Sequence, residues 1–253
     1  MDDGPDAAVG ARRPAQDVHS VFEAGLRELG PEPDADAALA WAARAFGRRL
    51  AVASSMSDPV VAHLVSQFVP DVDVVFLDTG LHFVETLGFR DRLHRELAVT
   101  VVSATPPLTV AQQAERFGPD LHLRDPASCC RMRKVDVMDA ALEPYEAWAT
   151  GLRRADSETR RSTAVLEWDA RRAMVKLNPI AAWSDEEVAA YVARHDLPEH
   201  PLRPDGYLSI GCAPCTRPVS PGEPARAGRW ADTDKTECGL HDDPVARSPH
   251  THR

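Results

Sequence analysis

No apolar run in this chain approaches the ~20 residues that a membrane-spanning helix needs. The opening residues, MDDGPDAAVGARRPAQ, hold no apolar stretch of the kind a secretory signal requires. Positive charge is also short: 29 Lys and Arg face 39 Asp and Glu, a formal net charge of −10. That balance argues against a general nucleic-acid binder, yet a small anion can still find a local basic pocket. Cysteine is scarce, five residues in 253. In a cytosolic chain so few cysteines point to metal or redox chemistry more than to structural disulfides. No internal repeat is visible. These absences lead to the expectation of a cytoplasmic protein with neither a membrane nor a nucleic acid among its partners. Residues 1–16 are expected to form a disordered lead.

What is present is enough apolar residue, 43%, for a real core. The spacing predicts helices over 21–29 and 37–46, a strand over 49–55, and a helix over 59–69 with Pro59 in its first turn. A strand over 73–80, a helix over 83–97 and a strand over 99–104 follow. Beyond these, 129–142 reads as helix and 146–151 and 174–179 as strands. Ser184 and Glu187 form a capping box at the head of a helix over 184–195. After residue 196 Pro and Gly dominate and periodicity fades. Continuous apolar strands alternating with helices imply an α/β fold, a mainly parallel central sheet covered on both faces.

In such sheets ligands lie beyond the carboxyl ends of the strands. Three turns qualify: SSMSD (54–58), LDTG (77–80) and TGLRR (150–154). The first suits an anion held at a helix N-terminus, and is equally a plain cap. The cysteines fall in two close groups and one outlier. Cys129 and Cys130 are adjacent in SCCRMRK, Cys212 and Cys215 form C-A-P-C, and Cys238 stands alone in TECGLH. Four thiols could hold structural zinc, although an adjacent pair fits the usual knuckles poorly. They could hold a cubic iron–sulfur cluster, or the C-x-x-C could be a redox pair. Arg131, Arg133, Lys134 and Arg217 lie beside them in sequence, placed to offset the charge of a thiolate site.

The motifs SCCRMRK (128–134), TGLRRADSETR (150–160), VKLNPIAAWS (175–184), GYLSIGCAPCTRPVSPGEPARAGRW (206–230) and KTECGLH (235–241) occur together in one order. Jointly they resemble the assimilatory adenylyl-sulfate (APS) reductases of the iron–sulfur type, relatives of the phosphoadenylyl-sulfate (PAPS) reductases. LDTGLHFVETLGFRD (77–91) fits as well, with Val84 where the family more often has Pro. The resemblance implies an adenine-nucleotide α-hydrolase-like domain over 17–230 and a mobile C-terminal tail over 231–253. It implies a [4Fe-4S] cluster on Cys129, Cys130, Cys212 and Cys215. The sister PAPS reductases typically share the ECGLH tail and lack those four cysteines.

The implied activity is thioredoxin-dependent reduction of APS to sulfite and AMP, in sulfate assimilation and cysteine biosynthesis. Cys238 would be the nucleophile and carry a thiosulfonate. A thiolate nearing an anionic sulfate at ~4 Å meets about 4 kcal/mol of repulsion at an effective dielectric near 20, so fixed cations are required. By resemblance Arg153 and Arg160 would bind phosphate and sulfate oxygens, and Lys134 would link cluster and sulfate. Arg226, Arg229 and His241 would close over the nucleotide with the tail. Ser54, Asp58, Asp78 and Thr79 are expected on the nucleotide side. Two other readings stay open: a PAPS reductase with the same chemistry, and a metal-stabilised nucleotide-binding or tRNA-thiolation relative in which Cys238 is incidental. A homo-oligomer is neither required nor excluded.

Overall fold

The computed structural model describes residues 11–231, 233 and 235–241. Six strands form a single sheet among the described residues, in the order β3-β2-β1-β4-β6-β5. They are β1 (Leu50–Ser54), β2 (Val72–Leu77), β3 (Val99–Ala104), β4 (Ala147–Thr150), β5 (Leu166–Asp169) and β6 (Met174–Leu177). Every pairing is parallel except β5 against β6. The expected α/β sheet is therefore present, with one strand the sequence did not announce. LEWD is four residues long and lacks a clear period. It is held by the hairpin to β6, in which Asp169 Oδ1 accepts from the Arg172 amide at 3.1 Å and Ala173 takes a positive φ of 51°.

Helices cover both faces. Those expected appear as α1 (Ala15–Leu29), α2 (Ala35–Phe46), α3 (Val60–Ser66), α4 (Val84–Glu96) and α9 (Asp185–Arg194). Between them lie α5 (Val110–Phe117), α6 (Leu121–Arg124), α7 (Pro126–Cys130) and α8 (Asp136–Ala141). The Ser184–Glu187 capping box forms as read, with both reciprocal bonds in place. Burial alternates along β1. Leu50 and Val52 join a large core with α2, α3 and α4, and Ala51 faces a second core of Val75, Met138, Leu142, Tyr145, Trp148 and Met174. Both faces are dry, which is why the parallel strands read as unbroken apolar runs. No helix among the described residues is long and apolar enough to cross a membrane.

The expected lead over 1–16 needs correction where it is described. Residues 1–10 lie outside the described residues. Arg12 donates to the carbonyls of Arg172 and Ala173 at 2.8 and 2.7 Å, and α1 begins at Ala15. Arg13 Nε donates to Glu146 at 2.7 Å, and Arg49 reaches the same carboxylate at 3.1 Å. A composition rich in Asp, Gly and Pro hid two arginines that reach partners more than a hundred residues away, Arg172 and Ala173 for Arg12 and Glu146 for Arg13. Burial works to raise the pKa of Glu146, but the hydrogen bonds and charge of Arg13 and the charge of Arg49 prevail and lower it. Its ion pair therefore contributes stability above the ordinary carboxyl range and loses it as pH falls through the depressed folded value. Glu146→Gln is expected to cost about 1–3 kcal/mol at pH 7. The gap to wild type should close in acid melts.

Candidate active site

Strand β1 sits between β2 and β4, so the chain departs to opposite sides at the carboxyl ends of β1 and β4. That reversal opens a crevice. Here it is a cavity of about 280 Å³ lined by the turn after β1, the turn after β4, residues 208–211 and residues near Arg226 and Cys238. Ser54 Oγ accepts from the Met56 amide at 3.0 Å, and Asp58 Oδ1 accepts from the Val60 amide at 3.0 Å. Both line the cavity, as expected. The Asp58 carboxyl takes up one amide at the head of α3, in keeping with the plain-cap reading of this turn.

Arg153, Arg160, Arg226, Arg229 and Lys134 all line the same cavity. They converge from three parts of the chain: the loop after β4, the loop before the tail, and the helical segment after Cys130. Arg153 Nη2 is paired with Asp156 at 2.9 Å and Asp185 at 2.8 Å, but its Nη1 is a buried donor without a partner. Nε of Arg229 and Nε1 of Trp230 are likewise buried and unpartnered. Arg229 lies over the Trp230 ring at 4.7 Å. Its guanidinium packs against Gly211, where an added Cβ would stand 2.2 Å from Nη2. Only glycine allows that approach.

Thiols form the neighbouring wall. Cys129, Cys130 and Cys212 are buried, Cys215 is half-buried, and none is in a disulfide. Cys129 and Cys130 end α7 and lead into one π-helical turn, Arg131–Val135. Such turns widen the helix locally and recur at functional sites. The C-A-P-C loop is tied down twice. Ala213 donates to the Leu81 carbonyl at 2.7 Å, and Thr216 bridges to Arg229. Burial pushes Cys130 up to about 11, eased by Lys134 and raised further by charge on Cys238 and Cys212. Charge on Cys212 also raises Cys129 and Cys215, after burial. The two cysteine groups thus share one space. Burial disfavours the ammonium of Lys134, but the thiolates of Cys212 and Cys238 prevail and raise its pKa. Among the described residues, no three His, Cys, Asp or Glu side chains converge as a single-ion site does. Four thiols free of disulfides are the donor chemistry that either an iron–sulfur cluster or a zinc ion takes.

Cys238 lines the cavity beside Lys134. His241, also at the wall, stacks on Trp148 with centroids 5.6 Å apart and planes at 5°. Burial, then the charges of Lys176 and Arg160, hold its pKa well below the usual value. The bonds of Arg160 differ from the expectation. Its Nε and Nη2 donate to Glu237 and its Nη1 to Asp156.

Two expected residues lie elsewhere. Asp78 and Thr79 do not line the cavity. Asp78 accepts from the Gly80 amide at 3.1 Å and faces Arg90 at 3.5 Å. Thr79 is fully buried with Oγ1 3.3 Å from Cys212 Sγ, so it belongs to the thiol wall. Arg133 lies by the thiols as the sequence reading had it, and its charge acts to lower the pKa of Cys129. It is also a buried strut, donating to the Thr79 and Leu108 carbonyls and to Gln113. Sequence reading passed over His82, Arg203 and Glu237, all of which line the cavity. His82 sits inside the quoted LDTGLH stretch, and Glu237 inside TECGLH.

A parallel α/β sheet with a cationic cavity at its switch point is the frame of an adenine-nucleotide α-hydrolase-like enzyme. Residues 49–218 match the model of the phosphoadenosine phosphosulfate reductase domain. The adenosine 5'-phosphosulfate reductase of Streptomyces coelicolor is 53% identical over 234 residues, which cover 92% of this chain and 99% of that one. Its counterpart from Mycolicibacterium smegmatis is 45% identical, with 89% and 95% covered. The crystal structure of a PAPS reductase from Candida auris aligns with a TM-score of 0.64 at 23% identity, covering 82% of this chain and all of that one, a likeness of fold. The chain belongs to the phosphoadenosine phosphosulfate reductase family, among its adenosine 5'-phosphosulfate reductases.

Proposed function

We infer that the protein reduces APS to sulfite and AMP in sulfate assimilation, with Cys238 as nucleophile and thioredoxin as reductant. The observation that carries this is the placement of one thiol, Cys238, on the wall of a cavity ringed by Lys134, Arg153 and Arg229. Unpartnered buried donors at Arg153 and Arg229 call for oxyanions there. The Cys238 thiolate attacks the sulfur of APS. The bond from sulfur to the bridging phosphate oxygen breaks, AMP leaves with the electron pair, and Cys–S–SO₃⁻ remains. A thiolate of reduced thioredoxin then attacks Cys238 Sγ and sulfite departs. The second thioredoxin thiol resolves the mixed disulfide and frees Cys238. One dithiol supplies both electrons, so no other reductant is needed. The tail must carry the thiol from a closed pocket to an outside partner, which is work for a moving segment.

Cys129, Cys130, Cys212 and Cys215 would hold a [4Fe-4S] cluster, which when bound supplies a fixed charge beside the sulfate rather than electrons. Lys134 lines the cavity and feels the charge of Cys212 and Cys130, so its ammonium would screen the sulfate from those thiols. Lys134→Ala should therefore slow adduct formation more than it weakens AMP binding, as single-turnover kinetics and calorimetry would show. Equal losses would remove the bridging role.

The deciding experiment is intact mass after the reduced protein meets APS or PAPS in separate tubes without thioredoxin. One SO₃ adduct on Cys238 from APS alone is expected. An adduct mainly from PAPS would keep the chemistry and change the substrate. No adduct from either would favour the nucleotide-binding relative.

A further inference from the structure

A thiol displacement on a sulfate asks for cations, yet the residue before Cys238 is an acid. Glu237 is held on two sides. Arg160 Nε and Nη2 donate to its two oxygens at 2.8 and 2.9 Å, a bidentate fork. Arg226 Nη2 donates to Oε2 at 3.0 Å and to the Thr236 carbonyl at 3.0 Å. Burial works to raise the pKa of Glu237, but Arg160 and then Arg226 outweigh it and keep the carboxyl ionised. Arg160 has one further nitrogen, and it donates to Asp156 at 3.0 Å. Every nitrogen of that guanidinium is thus engaged by a carboxylate. The unpartnered donors at the cavity belong to other residues, among them Nη1 of Arg153 and Nε of Arg229 beside Nε1 of Trp230.

The far side of Cys238 is anchored as well. Gly239 turns the chain with a φ of 88°. Leu240 then packs on the core containing Trp148, and the His241 ring stacks on that Trp148. Arg172 Nη1 reaches the Leu240 carbonyl at 3.4 Å. The thiol is suspended between an ionic anchor and an apolar one.

We propose that Glu237 is the positioning residue of the tail. Its carboxylate, gripped by Arg160 and Arg226, seats Cys238 at the cavity wall, and Arg153 and Arg229 are left to take the substrate's oxygens. The ionic anchor is the one that releases. A bidentate arginine–carboxylate pair is directional, but its ions regain hydration when they part. The proposal rests on reading Cys238 as the nucleophile.

The test compares wild type with Glu237→Gln and Glu237→Asp. Cys238 alkylation by iodoacetamide, followed peptide by peptide, reports seating of the tail without any substrate. Glu237→Gln should alkylate several-fold faster at Cys238, form the SO₃ adduct ~10-fold or more slowly, and bind AMP within about twofold of wild type. Glu237→Asp should recover part of both rates. Wild-type alkylation and turnover in the glutamine variant would overturn the proposal. So would faster turnover, which would make the carboxylate a competitor for the substrate's place. AMP binding that falls in step with turnover would reduce Glu237 to a structural role and overturn it too. If no sulfonucleotide forms an adduct in wild type but alkylation still responds to Glu237, the reaction is wrong and the anchor stands.

Discussion

Cys238→Ser is expected to abolish sulfite formation and to leave the visible absorbance of the proposed cluster unchanged. The two halves of this result come from separate parts of the structure. Cys238 lies on the cavity wall, between Glu237 and the Leu240 anchor. The other four cysteines sit in α7 and the C-A-P-C loop, and that loop is tied to the turn after β2 through Leu81 and to Arg229 by a bridge. Removing one sulfur from the tail touches none of those bonds. The chemistry cannot survive the change, because a serine hydroxyl is barely ionised near neutral pH and its sulfate ester would offer thioredoxin no S–S bond to attack. A loss of at least ~10⁴-fold in turnover, about 5.4 kcal/mol of barrier, is expected. Sulfite assay with APS and reduced thioredoxin measures it, and AMP binding should stay within about threefold. Sulfite release at the wild-type rate would make Cys238 a bystander.

Much of this arrangement was open to sequence reading, for reasons that differ by element. β1, β2 and β3 announce themselves because parallel strands buried on both faces must be apolar throughout. The capping box at Ser184 is a local code written within four residues. The five cysteines and the arginines at 153, 226 and 229 were legible because their motifs are short and chemically distinctive. What escaped was decided by distant partners. β5 is a strand through its pairing with β6, and its own four residues carry no period. Arg13 looked like part of a disordered lead until Glu146 met it. Thr79 read as a nucleotide contact because it follows a strand, whereas a buried hydroxyl pairs with the nearest polar atom, here the sulfur of Cys212. Arg133 acts on the charge of Cys129 as its place in sequence suggested, but its donors also brace the turn after β2 and the loop before α5, which spacing did not foretell. Spacing along the chain says which residues are neighbours; it does not say where a guanidinium spends its hydrogen bonds.

Cys130→Ser should strip the cluster, and with it most of the activity, while the α/β sheet stays folded. Cys130 is 6% exposed and ends α7 where the helix passes into its π turn. Serine fits that space, so the backbone has no reason to move. Its oxygen is a harder and far less acidic ligand than a thiolate, and iron in a sulfide cube prefers sulfur. The loss also reaches the substrate side. Lys134 is balanced by charge on Cys212, Cys238 and Cys130, and its ammonium lies near the Trp230 ring at 6.0 Å. With a neutral oxygen at position 130 and no cluster, that ammonium loses much of its counter-charge, and the wall beside Arg229 loses its brace. Iron and acid-labile sulfide per chain should fall to well under half of wild type, the visible absorbance should bleach, and far-UV circular dichroism should change little. AMP affinity should weaken less than turnover, because Arg153 and the turn after β1 sit on the other side of the cavity. A serine variant that keeps its full iron and sulfide would show that Cys130 is not a ligand. The four-thiol site would then have to be rebuilt from Cys129, Cys212, Cys215 and a group not yet named.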